Sequence, residues 1–405
     1  MSSFSFRQVA VVYGKEIRDI LRDRRTLMSM LLIPGVMIPV MIIGVAIVLA
    51  KTVHHAEAER ASIMIVGADA PKLRERIEQD ARLKLVPAST NFAQQIAEKR
   101  LRAAIEIPNG FDEPNFSSSG APLKIYDYEG ELNSGFATAE LEHLISDYRE
   151  SVVQARLTAH GLDRRFAQPF EIVRQNVAPP EKVGGNRFGG IIPYVLIMAC
   201  FTGAMYPAID LAAGEKERGT METILCTPIG RLELALGKFF TVLTVSVMSV
   251  TAAMTGLIVS AVSLAFLIFP KMQGGGAASV LPTLNPFGIL GVIVIMLPLA
   301  TFFSAVIFAI ALIAKTQKEA QTYISPLVGL LALPAFAPLL PGVELNAKFA
   351  LVPILNVALV SKELVSGNFP WLMIAVIFIS SLVYALIALG VAVRLFKRET
   401  IIFRT

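Results

Sequence analysis

Few groups in this chain could do covalent chemistry, and they are poorly placed for it. The four histidines, His54, His55, His143 and His160, fall in one polar stretch. His54 and His55 are adjacent and so point different ways, and no carboxylate–histidine spacing supports either as a metal ligand. Cys200 lies in a hydrophobic run and Cys226 in a charged loop, so neither a disulfide nor a thiolate metal site is expected. No HExxH, no GxSxG and no intramembrane acid pair is found. The segment "GRLELALGKF" (230–239) has the look of a phosphate-binding loop, but six residues separate its glycines and Phe239 follows Lys238. A loop that wraps phosphates with its amides needs about four residues there, and Ser or Thr after the lysine. The expectation is a chain with no catalytic residue, metal site or cofactor of its own.

One block of charge stands out instead. "EKERGTMETILCTPIGRLELALGK" (215–238) sits between long apolar runs, with Glu215, Lys216, Glu217, Arg218 and Glu222 close together. Gly214 and Gly219 punctuate it and Pro228 ends it. Within it, "RGTMETILCT" predicts a short helix with Met221, Ile224 and Leu225 on one face and charges on the other. An ordinary solvated loop is the plain reading. A surface that docks a protein partner would use both features, the charges for register and the stripe for affinity. Asp210, just before the block, caps the end of its run or pairs with a basic residue, or else serves an ion or gating role. The apolar runs are otherwise almost free of charge, unlike those of ion-coupled secondary transporters.

Those runs define the elements that must position the block. Of 405 residues, 54% are hydrophobic and 17% charged, whereas soluble domains carry about a quarter charged residues. Six candidate spans follow, at 27–50, 190–212, 236–269, 288–314, 321–341 and 370–393, each long enough to cross a bilayer. The first is too long for a signal-peptide core and is read as a retained span. The third exceeds bilayer thickness and must tilt, kink or extend into water. The net charge of +5 comes with basic residues flanking the runs. There they set topology, and nucleic acid is not an expected partner. The N-terminal segment, the 314–320 turn and the 394–405 tail then share the cytoplasmic side with the 213–235 loop.

Segment 51–189 is expected outside, as an α+β domain inserted between spans one and two. "ASIMIVG", "RLKLVPA", "AAIEIP" and "LKIYDY" read as strands, "APKLRERIEQDA" and "NFAQQIAEKR" as helices. A longer helix over 136–157 carries Leu141, Leu144, Ile145, Tyr148 and Val152 on one face, before the linker "APPEKVGGNRFGG". Residues 5–25 form an amphipathic helix with Val9, Val12, Tyr13, Ile17 and Ile20 on its apolar face. Such a helix lies in the headgroup layer or simply anchors a tail. Segment 342–369, apolar but broken by Pro353 and Asn356, reads as a re-entrant or surface-lying helix. The fold class is thus a mostly α membrane protein with six transmembrane helices and one α+β extracytoplasmic domain.

"GEKERGTMETILCTPI" resembles the intracellular coupling segment of type-2 ABC exporter permeases, where "E-x-E-x-x-T" patterns recur between spans two and three. "AKTQKEAQTYISPL" (314–327) and "VPILNVALVSKELVSG" (352–367) sharpen the match toward the sodium-export permeases of that family. The resemblance implies two copies of the chain, or two related permeases, forming one pathway across a bacterial cytoplasmic membrane. Separate cytoplasmic ABC ATPase chains would hold ATP and Mg. It implies that Glu215, Glu217, Arg218, Thr220 and Glu222 dock on the ATPase, that 1–26 is an elbow helix touching it, and that 346–367 closes the pathway outside. Sodium would require oxygen ligands, for which Tyr194, Thr202, Asp210, Thr301, Ser304 and Asn356 are the candidates within or beside the spans. A drug, lipid or peptide suits so apolar a pathway equally. The reading of another class is a membrane sensor or scaffold using the outside domain.

Overall fold

The computed structural model describes residues 4–58, 60–109, 111, 122–129, 131–163, 190–225, 227–267, 286–340 and 343–398. The chain divides into a helical unit, 1–46 with 177–405, and a smaller unit, 47–176. Six helices are long and apolar enough to cross a membrane: Met30–Thr52, Ile191–Glu217, Arg231–Leu264, Phe287–Ile313, Gln317–Leu339 and Trp371–Lys397. Each coincides with one of the hydrophobic runs.

The helical unit opens with α1 (Phe6–Arg22), where Val9, Val12 and Ile20 are buried as the periodicity requires. Glu16 is buried on the same face, which hydropathy alone does not anticipate. After α2 (Arg24–Leu27), a π-helical stretch Met28–Met37 contains Pro34 and leads into α3 (Ile38–Ala58). Pro34 has no amide hydrogen to give the α-helical ladder, so regular i→i−4 bonding is interrupted there.

The second span starts as α7 (Ile191–Ile209) and packs against the third helix, α10 (Arg231–Leu267). Gly203 makes this approach possible, because a Cβ there would lie 2.4 Å from Ser249 Oγ. Ser246 donates to the Cys200 carbonyl at 2.7 Å and Ser249 to that of Met30 at 3.1 Å. Small and hydroxylated residues thus hold spans one, two and three together where no hydrophobic effect drives helices from lipid. At 1.5 Å per residue, the 37 residues of α10 run about 55 Å, well beyond a hydrocarbon core of about 30 Å. The helix begins at 231 instead of the expected 236. Glu233 in its first turn faces the positive helix end, accepting the Ser5 amide at 3.3 Å.

The bundle continues with α11 (Pro286–Ile313) and α12 (Gln317–Phe336). Thr316 caps the latter, accepting the Glu319 amide at 3.2 Å, while Glu319 reaches back to the Lys315 amide at 2.7 Å. The 342–369 segment contributes α13 (Leu355–Val365), buried from Asn356 to Ser361 and again at Leu364 and Val365. Both faces of this helix are covered within the helical unit. The last helix, α14 (Trp371–Lys397), continues four residues past the expected 393, with Phe396 buried.

The smaller unit is built on a four-stranded sheet. β1 (Ala61–Gly67) pairs in parallel with β2 (Leu83–Val86) and β3 (Ala103–Ile107), and β3 pairs antiparallel with β4 (Lys124–Asp127), giving the order β2-β1-β3-β4. Parallel neighbours need crossovers, which α4 (Pro71–Gln79) and α5 (Phe92–Ala97) supply. The long α6 (Leu132–Ala159) lays Leu141 and Tyr148 into the core with Ile63, Leu73, Ala103 and Ile105. Strands and helices thus fall where the sequence places them. The linker "APPEKVGGNRFGG" (178–190), apart from Gly190, lies outside the described residues.

Candidate functional site

The charged block is wired into the ends of the spans. Helix α7 continues through a π-helical turn, Asp210–Gly214, into α8 (Glu215–Glu217); after Gly219 comes α9 (Thr220–Leu225). The apolar stretch Leu211–Gly214 stays buried, so the helix runs on into what hydropathy assigns to a loop. Gly219 has φ +70, a left-handed conformation that glycine adopts at no steric cost, and there the chain turns.

Each charge of the block has a definite partner or a definite exposure. Glu215 is 5% exposed and forms an ion pair with Lys238, which is fully buried in α10. Lys238 also donates to the Leu211 carbonyl at 2.9 Å. Lys216 donates to the carbonyl of Leu312, at the end of α11, and to that of Ala314 at 3.4 Å. Glu217 accepts the Gln317 amide at 2.8 Å, at the start of α12. Arg218 meets Asp210 Oδ1 at 3.0 Å, and Gln317 Nε2 meets the same oxygen at 3.2 Å. Thr220 donates its hydroxyl to the Glu215 carbonyl at 3.2 Å. Glu222 is exposed, while Met221, from the predicted apolar stripe, is buried.

Helix α1 closes the other side of the cluster. Val12 packs on Gly237, where a Cβ would come within 2.6 Å, and the Tyr13 hydroxyl lies 3.2 Å from that of Thr244. A cavity of about 280 Å³ opens among Lys15, Glu16, Asp19, Asp210, Glu215 and Arg218. Burial works against the charge on Lys15, yet its hydrogen bond to Glu16 and the fields of Glu16, Glu215 and Asp19 raise its pKa above the usual lysine value. The first helix, the second span, the charged block and α10 therefore share one electrostatic cluster.

Sequence reasoning finds the block; of the residues it expects at a docking face, Glu215 is buried against Lys238. That reasoning passes over Lys238 as a buried charge. A lysine placed inside an apolar run is the signal that finds it, since burial demands a partner. The same pairing explains the false phosphate loop: the Lys238 ammonium is already held by Glu215 and Leu211. Asp210 pairs with a base, Arg218, one of the roles its position allows.

The candidate pathway residues are not brought together. Thr202 and Thr301 turn their hydroxyls to their own helices, donating to Met198 at 2.8 Å and Leu297 at 2.9 Å. Tyr194 stacks edge-on against Phe336 at 6.1 Å. Ser304 is buried with no hydrogen-bond partner among the described residues. Asn356 is buried, and its amide lies 3.3 Å from the Ala350 carbonyl and from Ser381, and 3.4 Å from Ser380. Among the described residues, no hydrogen bond joins any two of the six. Ser380 and Ser381 escape sequence reasoning because hydroxyls are ordinary in a span. Ile354, two residues before Asn356, has φ +72, a strained conformation for a β-branched side chain.

Over 364 residues the chain is 26% identical to the ABC transporter permease protein NatB of Bacillus subtilis (strain 168), covering 88% of this chain and 89% of that one. No solved structure matches the chain. The family model for ABC-2 family transporter proteins matches residues 24–394, which takes in five of the apolar helices, all but the last three residues of the sixth, and the charged block between the second and third. A multi-pass helical protein with a charged junction seated on its span ends, matched over nearly its whole length, belongs to the ABC-2 family of transporter permeases.

Proposed function

We propose that this chain is the membrane-spanning subunit of an ATP-driven exporter. A separate cytoplasmic ABC ATPase binds and hydrolyses ATP, and residues 213–228 form the coupling segment it drives. One observation carries the reading: the charged block is tied to the ends of three spans, through Lys216 to Leu312, Glu217 to Gln317 and Glu215 to Lys238. A push on α9 is then delivered to spans two to five, because packed helices and buried ion pairs shift as units rather than deform. The docking face is the exposed side of the block, around Glu217, Arg218, Thr220 and Glu222.

Two copies enclose the pathway in a bacterial cytoplasmic membrane, with both termini in the cytoplasm and the 47–176 unit on the far side. Only 11% of the first span and 17% of the fifth are buried within one chain, which leaves their faces for lipid and for the second copy. Sodium as cargo rests on the resemblance of stretches 314–327 and 352–367 to sodium-export permeases, and on oxygen-bearing groups buried around Asn356.

The test uses the complex purified through this chain and rebuilt in liposomes, with ATP hydrolysis and tracer efflux followed as sodium is varied. Glu222→Arg, which breaks no hydrogen bond or ion pair among the described residues, should abolish stimulation of the ATPase; intact assembly and transport would refute the docking face. Hydrolysis that follows sodium with tracer efflux supports sodium export. Hydrolysis indifferent to sodium assigns the pathway to an amphiphile, and no co-purifying ATPase would overturn the exporter.

A further inference from the structure

An unbalanced cluster of charge lies far along the sequence from the coupling block, within the 47–176 unit. The parallel strands β1, β2 and β3 begin together, and a cleft of about 470 Å³ opens at their starts. Arg60, Lys84, Lys99, Arg100 and Arg102 line it, and among the described residues no carboxylate does. Two of the five are balanced from outside the lining: Arg100 by Glu98 at 3.2 Å and Arg102 by Glu131 at 2.8 Å. Arg60, Lys84 and Lys99 have no carboxylate partner among the described residues. Lys99 lies over the Tyr128 ring at 5.8 Å, and its backbone has φ +60. Asn133 adds a neutral donor.

Like charges gathered in a concave site repel one another and focus a positive potential that a bound anion relieves. The forked donors of Arg60, Arg100 and Arg102, with two lysines as point charges, suit the tetrahedral oxygens of a phosphate. The cleft is also roomier than one small ion requires, since pockets for whole organic ligands begin near 300 Å³. Arg60 follows the last residue of the first apolar helix, Thr52, by eight positions, so the chain holds it no more than about 16 Å from that helix end. A phosphate at this distance from a span comes from solution or from a lipid headgroup.

We propose that this cleft is a phosphate-binding site, with Arg60, Lys84 and Lys99 as its uncompensated cations. It uses none of the residues assigned above to the coupling block or the cargo pathway.

The test uses the full chain in nanodiscs of phosphatidylcholine, titrated with inorganic phosphate and followed by phosphorus NMR relaxation. A parallel preparation in mixed phosphatidylcholine and phosphatidylglycerol is examined by native mass spectrometry for retained anionic lipid. Arg60→Gln with Lys84→Gln, both exposed positions, is compared with Lys348→Gln and Lys397→Gln, which remove the same charge elsewhere. Saturable phosphate binding weakened about tenfold by the cleft pair, and not by the control pair, establishes the site with a soluble ligand. Retained phosphatidylglycerol lost only in the cleft pair, without binding of free phosphate, establishes it with a headgroup. Equal behaviour of the two pairs, or no binding in either preparation, overturns the proposal.

Discussion

Two charged regions of this molecule obey opposite rules. At the junction of α1, the second span and α10, Lys238 has Glu215, Lys15 has Glu16, and Arg218 has Asp210. In the cleft of the sheet unit, three cations face one another without a carboxylate. The difference follows from solvent. A charge taken from water without a partner costs several kcal/mol, so the buried Lys238, Glu215 and Glu16 of the junction require partners. At the exposed starts of the strands water and salt screen each charge, and like charges can be left open for a ligand. Paired charges at the junction therefore point to transmission of movement, and unpaired charges at the cleft to binding.

That contrast can be broken most directly at Lys238. Replacing it by alanine strands Glu215 in the bundle and should destabilise the protein by about 3–5 kcal/mol, read from unfolding in mixed micelles. Lys238→Met with Glu215→Gln should recover most of this stability yet still impair ATP-driven transport; full transport in the double variant would show that the pair only holds the fold. Asn356→Ala comes next, since it removes a donor shared among Ala350, Ser380 and Ser381, at about 1–3 kcal/mol. It should also lower sodium efflux more than ATP hydrolysis if the cargo passes there. Asp210→Asn removes the partner of a half-exposed arginine and should shift stability by less than about 1 kcal/mol, so a large loss of transport in that variant would expose a role beyond pairing.

The smallest effect sharpens the solvent side of the comparison. The Tyr126 hydroxyl donates to Glu106 at 2.6 Å, which holds the Glu106 carboxyl below its ordinary pKa, with Lys124 assisting. The same bond raises the tyrosine above its ordinary value. Glu106 accordingly contributes stability above the usual glutamate pKa and loses it as pH falls through its lower folded value. Tyr126 contributes below the usual tyrosine pKa and loses it as pH rises through its higher folded value. Tyr126→Phe should flatten thermal stability against pH in both windows, a slight change because both groups face solvent. An unchanged profile would mean that the pair does not persist in solution.

Much of this was legible in the sequence for a simple reason: period and hydropathy are local. Strands β1 to β4 and the six apolar helices come from runs whose burial any fold must satisfy. The charged block announced itself by contrast with its neighbours, and its resemblance to coupling segments led to the family. Its internal wiring was hidden. Glu215 and Glu217 sit two residues apart and look alike, yet one turns inward to Lys238 and the other holds the start of α12. Those partners lie 23 and 100 positions away.

The sequence alone determined that the chain is a six-span membrane protein with a short charged segment between its second and third apolar runs, because length, hydropathy and charge act residue by residue. Only the tertiary structure decided which charges are spent on one another and which are left open. That depends on which side chains helix packing and strand order carry into a dry interior, and no local pattern states it.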